Sequence, residues 1–205
     1  MLYFGGGYDR LSVLLKRRDF ADELNINVGN TIILSVGELN RNKNHSTIIQ
    51  AVAELGDSSV HYVVAGQGEL KEELEKLAEG LGIAAQVHLL GFRDDIADIM
   101  KVVDLYCLPS LREGLNVSLM EAMASGLPCL AGDIRGNSDI LGKEGRKNLL
   151  PLGEAKLWVE SIQNIRNRMG CFEKTETAVK NHKRMEQYSE GEVFDQMKNI
   201  YKTIK

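Results

Sequence analysis

The stretch LPSLREGLNVSLMEAMASGLPCLA, residues 108–131, decides the fold of this chain. An apolar run at residues 104–108 predicts a buried strand, and Pro109 ends it because proline cannot donate to a strand ladder. Apolar residues then recur at helical spacing until Gly126 and Pro128, which predict the end of a helix. The residues that follow start another apolar strand. The stretch therefore predicts a strand, a loop, a helix and a second strand.

Two glutamates lie on either side of the loop-to-helix junction in this stretch. Glu113 is predicted in the loop, and Glu121 about one turn into the helix, with Asn116 or Ser118 as its N-cap. A helix N-terminus at the carboxyl edge of a parallel sheet offers unpaired N–H groups and a partial charge of about +0.5 to an anion. Such a glutamate pair is more often a helix cap and a solvated face. The functional alternative is a ligand with phosphate and hydroxyl groups, such as a nucleotide sugar.

Short apolar runs alternate with helical segments along the rest of the chain. The further predicted strands are residues 31–36, 60–65, 87–90, 129–132 and 148–151, and the further predicted helices are 19–26, 45–55, 70–81, 94–102, 137–141, 154–169 and 173–205. This alternation predicts an α/β fold, a doubly wound parallel sheet of Rossmann-like type with C-terminal helices. Right-handed crossovers then place all strand-to-helix loops at one edge, where ligands bind in such folds.

Composition restricts the class of protein. With 205 residues, 43% of them hydrophobic and 26% charged, the chain has the profile of an ordinary globular domain. Its net charge of −4 argues against a nucleic-acid partner bound by bulk electrostatics. No apolar run is long enough to span a bilayer. Cys107 and Cys129 lie in apolar runs, far from Cys171, which indicates buried thiols in a reducing cytoplasm.

Five basic residues follow the predicted strands and should share one rim of the sheet. They are Arg41, Lys43, Arg93, Arg112 and Arg135. A chance scatter is the alternative, but such a cluster on an acidic chain suits a diphosphate. The sequence contains no complete GxGxxG, P-loop or DxD motif, and its histidines lack the spacing of metal ligands. We therefore expect neither a metal nor a cofactor.

The string around the two glutamates resembles the donor-site motif of glycosyltransferase family 4, in which seven residues separate two glutamates. The similarity extends over residues 31–151 and includes VGELNRNKNH, HYVVAGQGELKEELEKLAEGLG and VHLLGFRDDI, which look most like capsular and exopolysaccharide transferases. It implies the carboxyl-terminal, donor-binding half of a GT-B enzyme, which has two facing Rossmann-like domains. Residues 1–28 are then interpreted as a linker or cloning-derived residues plus a short helix, 29–153 as the nucleotide-sugar-binding domain, and 154–205 as its helical extension.

The resemblance also implies roles for single residues. Glu121 would bind ribose hydroxyls, Glu113 the hydroxyls of the transferred sugar, and Lys43 the diphosphate, so Glu113 and Lys43 are the expected catalytic residues. The backbone N–H groups of residues 114–118 would bind the sugar and the phosphate. From loop position and resemblance together, the predicted donor-binding residues are Gly37, Arg41, Gly66, Gly68, Phe92, Arg93, Gly114, Leu115, Asn116, Val117, Ser118 and Glu121.

One residue departs from the family pattern. Many members have an arginine after the first-strand glycine, but here Glu38 follows Gly37. An acid that pointed inward there would repel a phosphate. Our hypothesis is that Glu38 faces solvent and that Arg41 supplies the second positive charge.

The implied reaction is retaining transfer of a hexosyl group from a nucleotide diphosphosugar to a polysaccharide or lipid-linked acceptor. UDP is the preferred nucleotide, before GDP and ADP. An N-terminal acceptor domain would be a partner, and this half alone should bind nucleotide but transfer little. The expected location is the cytoplasm, with peripheral attachment to the inner face of the membrane left open. The alternatives are a GT-B-like sugar-nucleotide epimerase or phosphorylase, a noncatalytic nucleotide-binding domain and a flavodoxin-like module.

Overall fold

The computed structural model describes residues 10–168, 173–189 and 191. Six strands form one parallel sheet in this part of the chain: β1 (Thr31–Val36), β2 (Val60–Ala65), β3 (Val87–Gly91), β4 (Leu105–Leu108), β5 (Cys129–Gly132) and β6 (Leu149–Leu150). Their order across the sheet is β3-β2-β1-β4-β5-β6, and every neighbouring pair is parallel. This is the order of a Rossmann-like sheet, so the predicted fold class is confirmed.

Eight α-helices accompany the sheet in the described residues. They are α1 (Arg10–Glu23), α2 (Ser46–Leu55), α3 (Lys71–Gly80), α4 (Ile96–Val102), α5 (Val117–Ala124), α6 (Arg135–Gly145), α7 (Ala155–Arg168) and α8 (Glu173–Glu186). Helices α2, α3 and α7 pack on one face of the sheet, and the other five cover the opposite face. Strand residues alternate between the two cores: Ile33 belongs to one, and Ile32 and Leu34 to the other.

The direction of winding reverses between β1 and β4. The chain leaves β1 through α2 on one face, whereas it leaves β4 through α5 on the other face. The two outgoing loops therefore diverge, and a crevice opens at the carboxyl ends of β1 and β4. Ligands bind at this point in sheets of this type.

Helix α1 differs most from the sequence prediction. The predicted helix at 19–26 is wrong in its bounds, because the observed helix begins at Arg10 and ends at Glu23. Phe20 of this helix and Leu24, which follows it directly, are buried in the core. The Arg17 guanidinium holds it there by donating to the Asn30 carbonyl at 2.7 Å and to Asp104 Oδ2 at 2.9 Å. Helix α1 is thus anchored to the loops at one end of the sheet.

Helix α6 is longer than the predicted 137–141 and is kinked at Gly142, where φ is +65°. Arg184 of α8 lies against this kink and donates to the carbonyls of Asp139 and Ile140. The bounds of the other elements differ from prediction by one or two residues. The helix predicted at 173–205 is wrong in its end, because α8 ends at Glu186 and residues 187–189 form a turn. The part of this prediction beyond residue 191 lies outside the described residues, as does Cys171. Cys107 and Cys129 are buried free thiols, as predicted.

The loops that follow β1 and β2 are in close contact. The N–H groups of Gly37 and Leu39 donate to the carbonyls of Ala65 and Gln67, at 3.0 and 2.9 Å. A Cβ atom on Gly66 would lie 1.9 Å from the Gly37 oxygen, and one on Gly68 would lie 2.4 Å from the Leu39 oxygen. Backbone fills the space beside both glycines, so close loop packing explains why these residues are glycine.

Replacing Gly66 with alanine should therefore lower the free energy of unfolding by about 1–3 kcal/mol, as overpacking does. Urea denaturation measures this change. Gly80→Ala is the matched control, because nothing lies within 4 Å of a Cβ at that helical position. We expect the control to be neutral or to stabilise by about 0.5–1 kcal/mol. Equal stability of the two variants would contradict the prediction.

Candidate functional site

The loops that leave β1 and β4 are joined by hydrogen bonds at the crevice. The Leu111 N–H donates to the Asn42 carbonyl at 2.8 Å, and Asn42 Nδ2 donates to the Arg112 carbonyl at 2.8 Å. Asn44, at a φ of +54°, reaches the Pro109 carbonyl through Nδ2 at 3.3 Å. These bonds fix residues 42–44 against residues 109–112.

Lys43 and Glu113 meet in this junction. Lys43 Nζ lies 2.7 Å from Glu113 Oε1, and the two side chains are 18% and 12% exposed. The lysine stem runs over Gly37, where a Cβ would lie 3.0 Å from Lys43 Cε. Gly37 has a φ of +156°, which side chains rarely adopt, so glycine suits both the backbone and the space there. The structure thus brings together the two residues predicted to be catalytic.

The environment keeps Glu113 ionised. Burial alone would raise the pKa of its carboxyl, but the hydrogen bond from Lys43 and the nearby polar groups of Ser110 and Asn116 outweigh burial. The pKa therefore lies below its ordinary value. Ser110 Oγ is buried and makes no hydrogen bond of ordinary geometry in the described part of the chain, although it is close enough to favour the charged form. Glu113 is consequently a weak base.

The N-terminus of α5 adds hydrogen-bond donors beside this pair. Asn116 is the N-cap, and its Oδ1 accepts from the Leu119 N–H at 2.9 Å and from Ser118 Oγ at 2.8 Å. The Ser118 hydroxyl is also 2.6 Å from the Tyr106 hydroxyl. Among the described residues, none accepts a hydrogen bond from the backbone N–H groups of residues 114–118. These donors are available to an anion.

Glu121 lies one turn along α5, on the same helix face as Val117. Its side chain is half-buried, and burial raises the pKa of the carboxyl. Within the described residues it forms no ion pair and accepts no hydrogen bond. A partly desolvated carboxylate without donors can accept hydrogen bonds from ligand hydroxyls.

The predicted cluster of five cations is less uniform in the structure. The Arg93 guanidinium binds Asp95, at 2.8 and 2.7 Å, and also Glu23, and these contacts raise the pKa of the arginine. Its charge is neutralised locally, as is that of Lys43. The three exposed members that form no ion pair with described residues are Arg41, Arg112 and Arg135.

Other predicted site residues have simpler surroundings. Phe92 is 76% exposed, and Leu115 and Val117 are 61% and 58% exposed at the same edge. Glu38 is exposed and accepts a hydrogen bond from Asn40 Nδ2 at 2.8 Å, so its carboxylate faces away from the junction interior. Gly66 and Gly68 pack against the backbone of the loop after β1, and their predicted contact with the nucleotide-sugar donor stays a prediction.

Sequence reasoning missed Asn42, Asn44 and Ser110. The first two join the loops, and Ser110 lies beside Glu113. An asparagine directly before a helix, able to adopt positive φ, was the available signal for Asn44. Within the described ranges, no three His, Cys, Asp or Glu side chains gather as metal ligands do. Each described helix is too short or too polar to cross a bilayer.

Comparison with known proteins identifies related sequences. The family described as Glycosyl transferases group 1 matches residues 16–185. EpsD of Bacillus subtilis (strain 168), named as a glycosyltransferase, is 30% identical over 172 residues, which are 83% of this chain and 45% of EpsD. A Campylobacter jejuni protein is 29% identical over 171 residues, 81% of this chain and 43% of that protein. Its name is N-acetylgalactosamine-N,N'-diacetylbacillosaminyl-diphospho-undecaprenol 4-alpha-N-acetylgalactosaminyltransferase.

A solved structure shares the fold. Anabaena Alr3699/HepE, crystallised in complex with UDP and glucose, superposes with a TM-score of 0.79 at 21% identity, over 98% of this chain and 55% of that chain. At this identity the likeness shows the fold alone. The chain spans about half the length of the proteins it matches.

Replacing Lys43 with methionine should raise the pKa of Glu113, because burial then acts without the hydrogen bond and the charge of Nζ, while only the groups of Ser110 and Asn116 still lower the pKa. A ¹³C NMR titration of the glutamate carboxyls measures this pKa. In the unsubstituted chain the lowered pKa makes Glu113 stabilising above its unfolded-state pKa, and that contribution is lost as the pH falls through the folded-state value.

In the Lys43→Met variant this stabilising contribution is smaller, so the variant is less stable than the original chain at neutral pH, and the difference between them narrows as the pH falls. Arg41→Met is the control, since Arg41 is exposed and forms no ion pair with described residues. A Glu113 pKa in Lys43→Met that equals the pKa in the unsubstituted chain would refute the assignment of Lys43 as its stabilising partner.

Proposed function

Because the chain belongs to the group 1 glycosyl transferases, we propose that it is the donor-binding half of a glycosyltransferase and holds a nucleotide diphosphosugar between β1 and β4. The observation that carries the proposal is the row of N–H groups at residues 114–118 beside the partly buried Lys43–Glu113 pair. The N–H groups and the ammonium suit phosphate oxygens, and the carboxylate suits sugar hydroxyls. A diphosphosugar carries both kinds of group next to each other.

The remaining contacts follow from the surroundings of each residue. Glu121 accepts the ribose hydroxyls, because its half-buried carboxylate forms no ion pair within the described part of the chain. The exposed ring of Phe92 offers an apolar surface to the base. Arg41 is exposed near Lys43 and adds positive charge for the diphosphate, while Glu38 points to solvent.

The proposed reaction is retaining transfer of a hexosyl group, with UDP as the preferred leaving group. The bond between the anomeric carbon and the diphosphate oxygen breaks, and a bond to an acceptor hydroxyl oxygen forms on the same face. Glu113 is a poor proton acceptor because its pKa is lowered, so the hydroxyl proton passes to the departing diphosphate. Lys43 and the N–H groups stabilise the negative charge that develops there.

The acceptor side belongs to the proposal as well. We assign the chain to the capsular and exopolysaccharide type of glycosyltransferase family 4, supported by the likeness to EpsD. The acceptor is a polysaccharide or a lipid-linked sugar, as the diphospho-undecaprenol in the name of the Campylobacter relative suggests. An N-terminal domain supplies the acceptor site, at the inner face of the membrane, and this half alone binds the donor without transferring it.

Calorimetric titration of the chain with UDP, GDP and ADP, with and without Mg²⁺, tests the proposal. We expect UDP to bind without the metal. Glu121→Gln should weaken binding by about tenfold or more, because it removes charged acceptors for the ribose hydroxyls. Glu79→Gln, at an exposed position of α3, is the matched control and should change nothing. The absence of binding to all three nucleotides would refute the proposed function, and strict dependence on Mg²⁺ would refute a metal-independent site.

A further inference from the structure

A buried chain of hydrogen bonds runs beneath the site and joins three strands. His45 Nε2 lies 3.1 Å from the carbonyl oxygen of Glu38, and His45 Nδ1 lies 2.8 Å from the Tyr62 hydroxyl. The Tyr62 hydroxyl is 2.9 Å from Ser35 Oγ, which donates to the Cys107 carbonyl at 2.6 Å. The side chains of His45, Tyr62 and Ser35 are all buried.

The number of protons in this chain can be counted. Both ends are carbonyl oxygens, which only accept hydrogen bonds, so the four contacts need four protons. A neutral His45, Tyr62 and Ser35 supply one proton each, which makes three. With a neutral imidazole, one of the four contacts therefore lacks a proton, and lone pairs of two oxygen or nitrogen atoms face each other there. A cationic imidazole supplies the missing proton and satisfies all four contacts.

We propose that His45 takes up a proton when an anion binds beside Lys43, and that it thereby fixes the loop carrying Gly37 and Lys43; this inference rests on the proposed function. In the neutral state Nε2–H donates to the Glu38 carbonyl, and Nδ1 accepts from Tyr62. The proton comes from the buffer and adds to Nδ1, which then donates to the Tyr62 hydroxyl. That hydroxyl turns to donate to Ser35 Oγ, so every contact has a proton. His45 is a positioning residue, because it acts through the loop.

The charges around His45 make its protonation depend on the ligand. Burial, with a smaller contribution from the Lys43 ammonium, lowers the pKa of His45 to about 4, although hydrogen bonds to the carbonyls of Glu38 and Gly37 act to raise it. The loop before His45 also carries Glu38 and Arg41, but Lys43 is the charge that acts on His45, and Glu113 partly offsets it from the β4 loop. The groups that face His45 from β2 and β4 stay neutral, because burial raises the pKa of Tyr62 and of the Cys107 thiol.

A diphosphate that binds Lys43 reverses this balance. Its negative charge replaces the net effect of the ammonium, and a nearby negative charge favours the cationic imidazole. Proton uptake and anion binding therefore strengthen each other. The completed chain holds the Glu38 carbonyl, and with it the segment that presents Lys43 to the ligand.

Nitrogen-15 NMR of the imidazole groups tests this inference on the chain saturated with UDP, or with GDP or ADP if that is the nucleotide bound. At pH about 6, Nδ1 of His45 should change from a nitrogen without a proton to a protonated one on saturation, and His61, His88 and His182 should not change. The affinity of the chain should rise as the pH falls from about 8 to about 6, by at most about tenfold per pH unit.

Tyr62→Phe is the decisive variant, because it removes one hydroxyl and leaves two contacts with two protons. We expect this variant to bind the nucleotide without protonating His45 and with a weaker dependence on pH. The comparison also cancels the titration of the nucleotide's own phosphate. An unprotonated Nδ1 in the saturated complex, or an equal proton uptake by Tyr62→Phe, would overturn the inference. If no nucleotide shifts the backbone amide signals of residues 114–118, the proposed function itself fails, which is a separate result.

Discussion

When the chain continues from two neighbouring parallel strands to opposite faces of a sheet, the segments that follow cannot cover the carboxyl ends of both strands. This constraint shapes the edge of the sheet where the site lies. β1 continues into α2 and β4 into α5, on different faces of the sheet. The diverging loops leave backbone groups that no neighbouring helix can satisfy. Hydrogen bonds through Asn42 and Asn44 between the two loops satisfy some of these groups. The N–H groups of residues 114–118 have no acceptor among the described residues and are available to a ligand.

The Lys43–Glu113 pair joins the same two loops by an ion pair. Either charge without its partner would destabilise the fold in so enclosed a position, and in the pair each charge compensates the other. The pair also places a donor and an acceptor within one ligand's reach, so the same contact that stabilises the fold prepares the site for a molecule with mixed chemistry. His45 lies directly beneath this pair, and its protonation responds to the net charge at Lys43 and Glu113. Anion binding at the surface is thereby coupled to the buried hydrogen-bond chain between the strands.

The features of the fold and the site that could be predicted from the sequence are those that local sequence patterns determine. Apolar runs bounded by glycine or proline placed all six strands of the described residues within one residue at each end, and the edge rule placed Lys43 and Glu113 in one site. The sequence did not predict that Arg93 binds Glu23, because those residues are 70 positions apart and meet only when α1 docks. The early part of α1 was missed because Leu14 and Leu15 are exposed and its buried face is narrow. The chain from Glu38 to Cys107 crosses three strands, and no spacing in the sequence indicates it.

The contact between the loops after β1 and β2 has a consequence for the evolution of this domain. Since residues 66–68 occupy the space next to the backbone of residues 37–39, neither loop can gain or lose a residue without displacing the other. The turn at Gly56 has open space around it and carries no such restriction. Insertions and deletions among homologous sequences should therefore accumulate at that turn, while these two loops keep a common, invariant length.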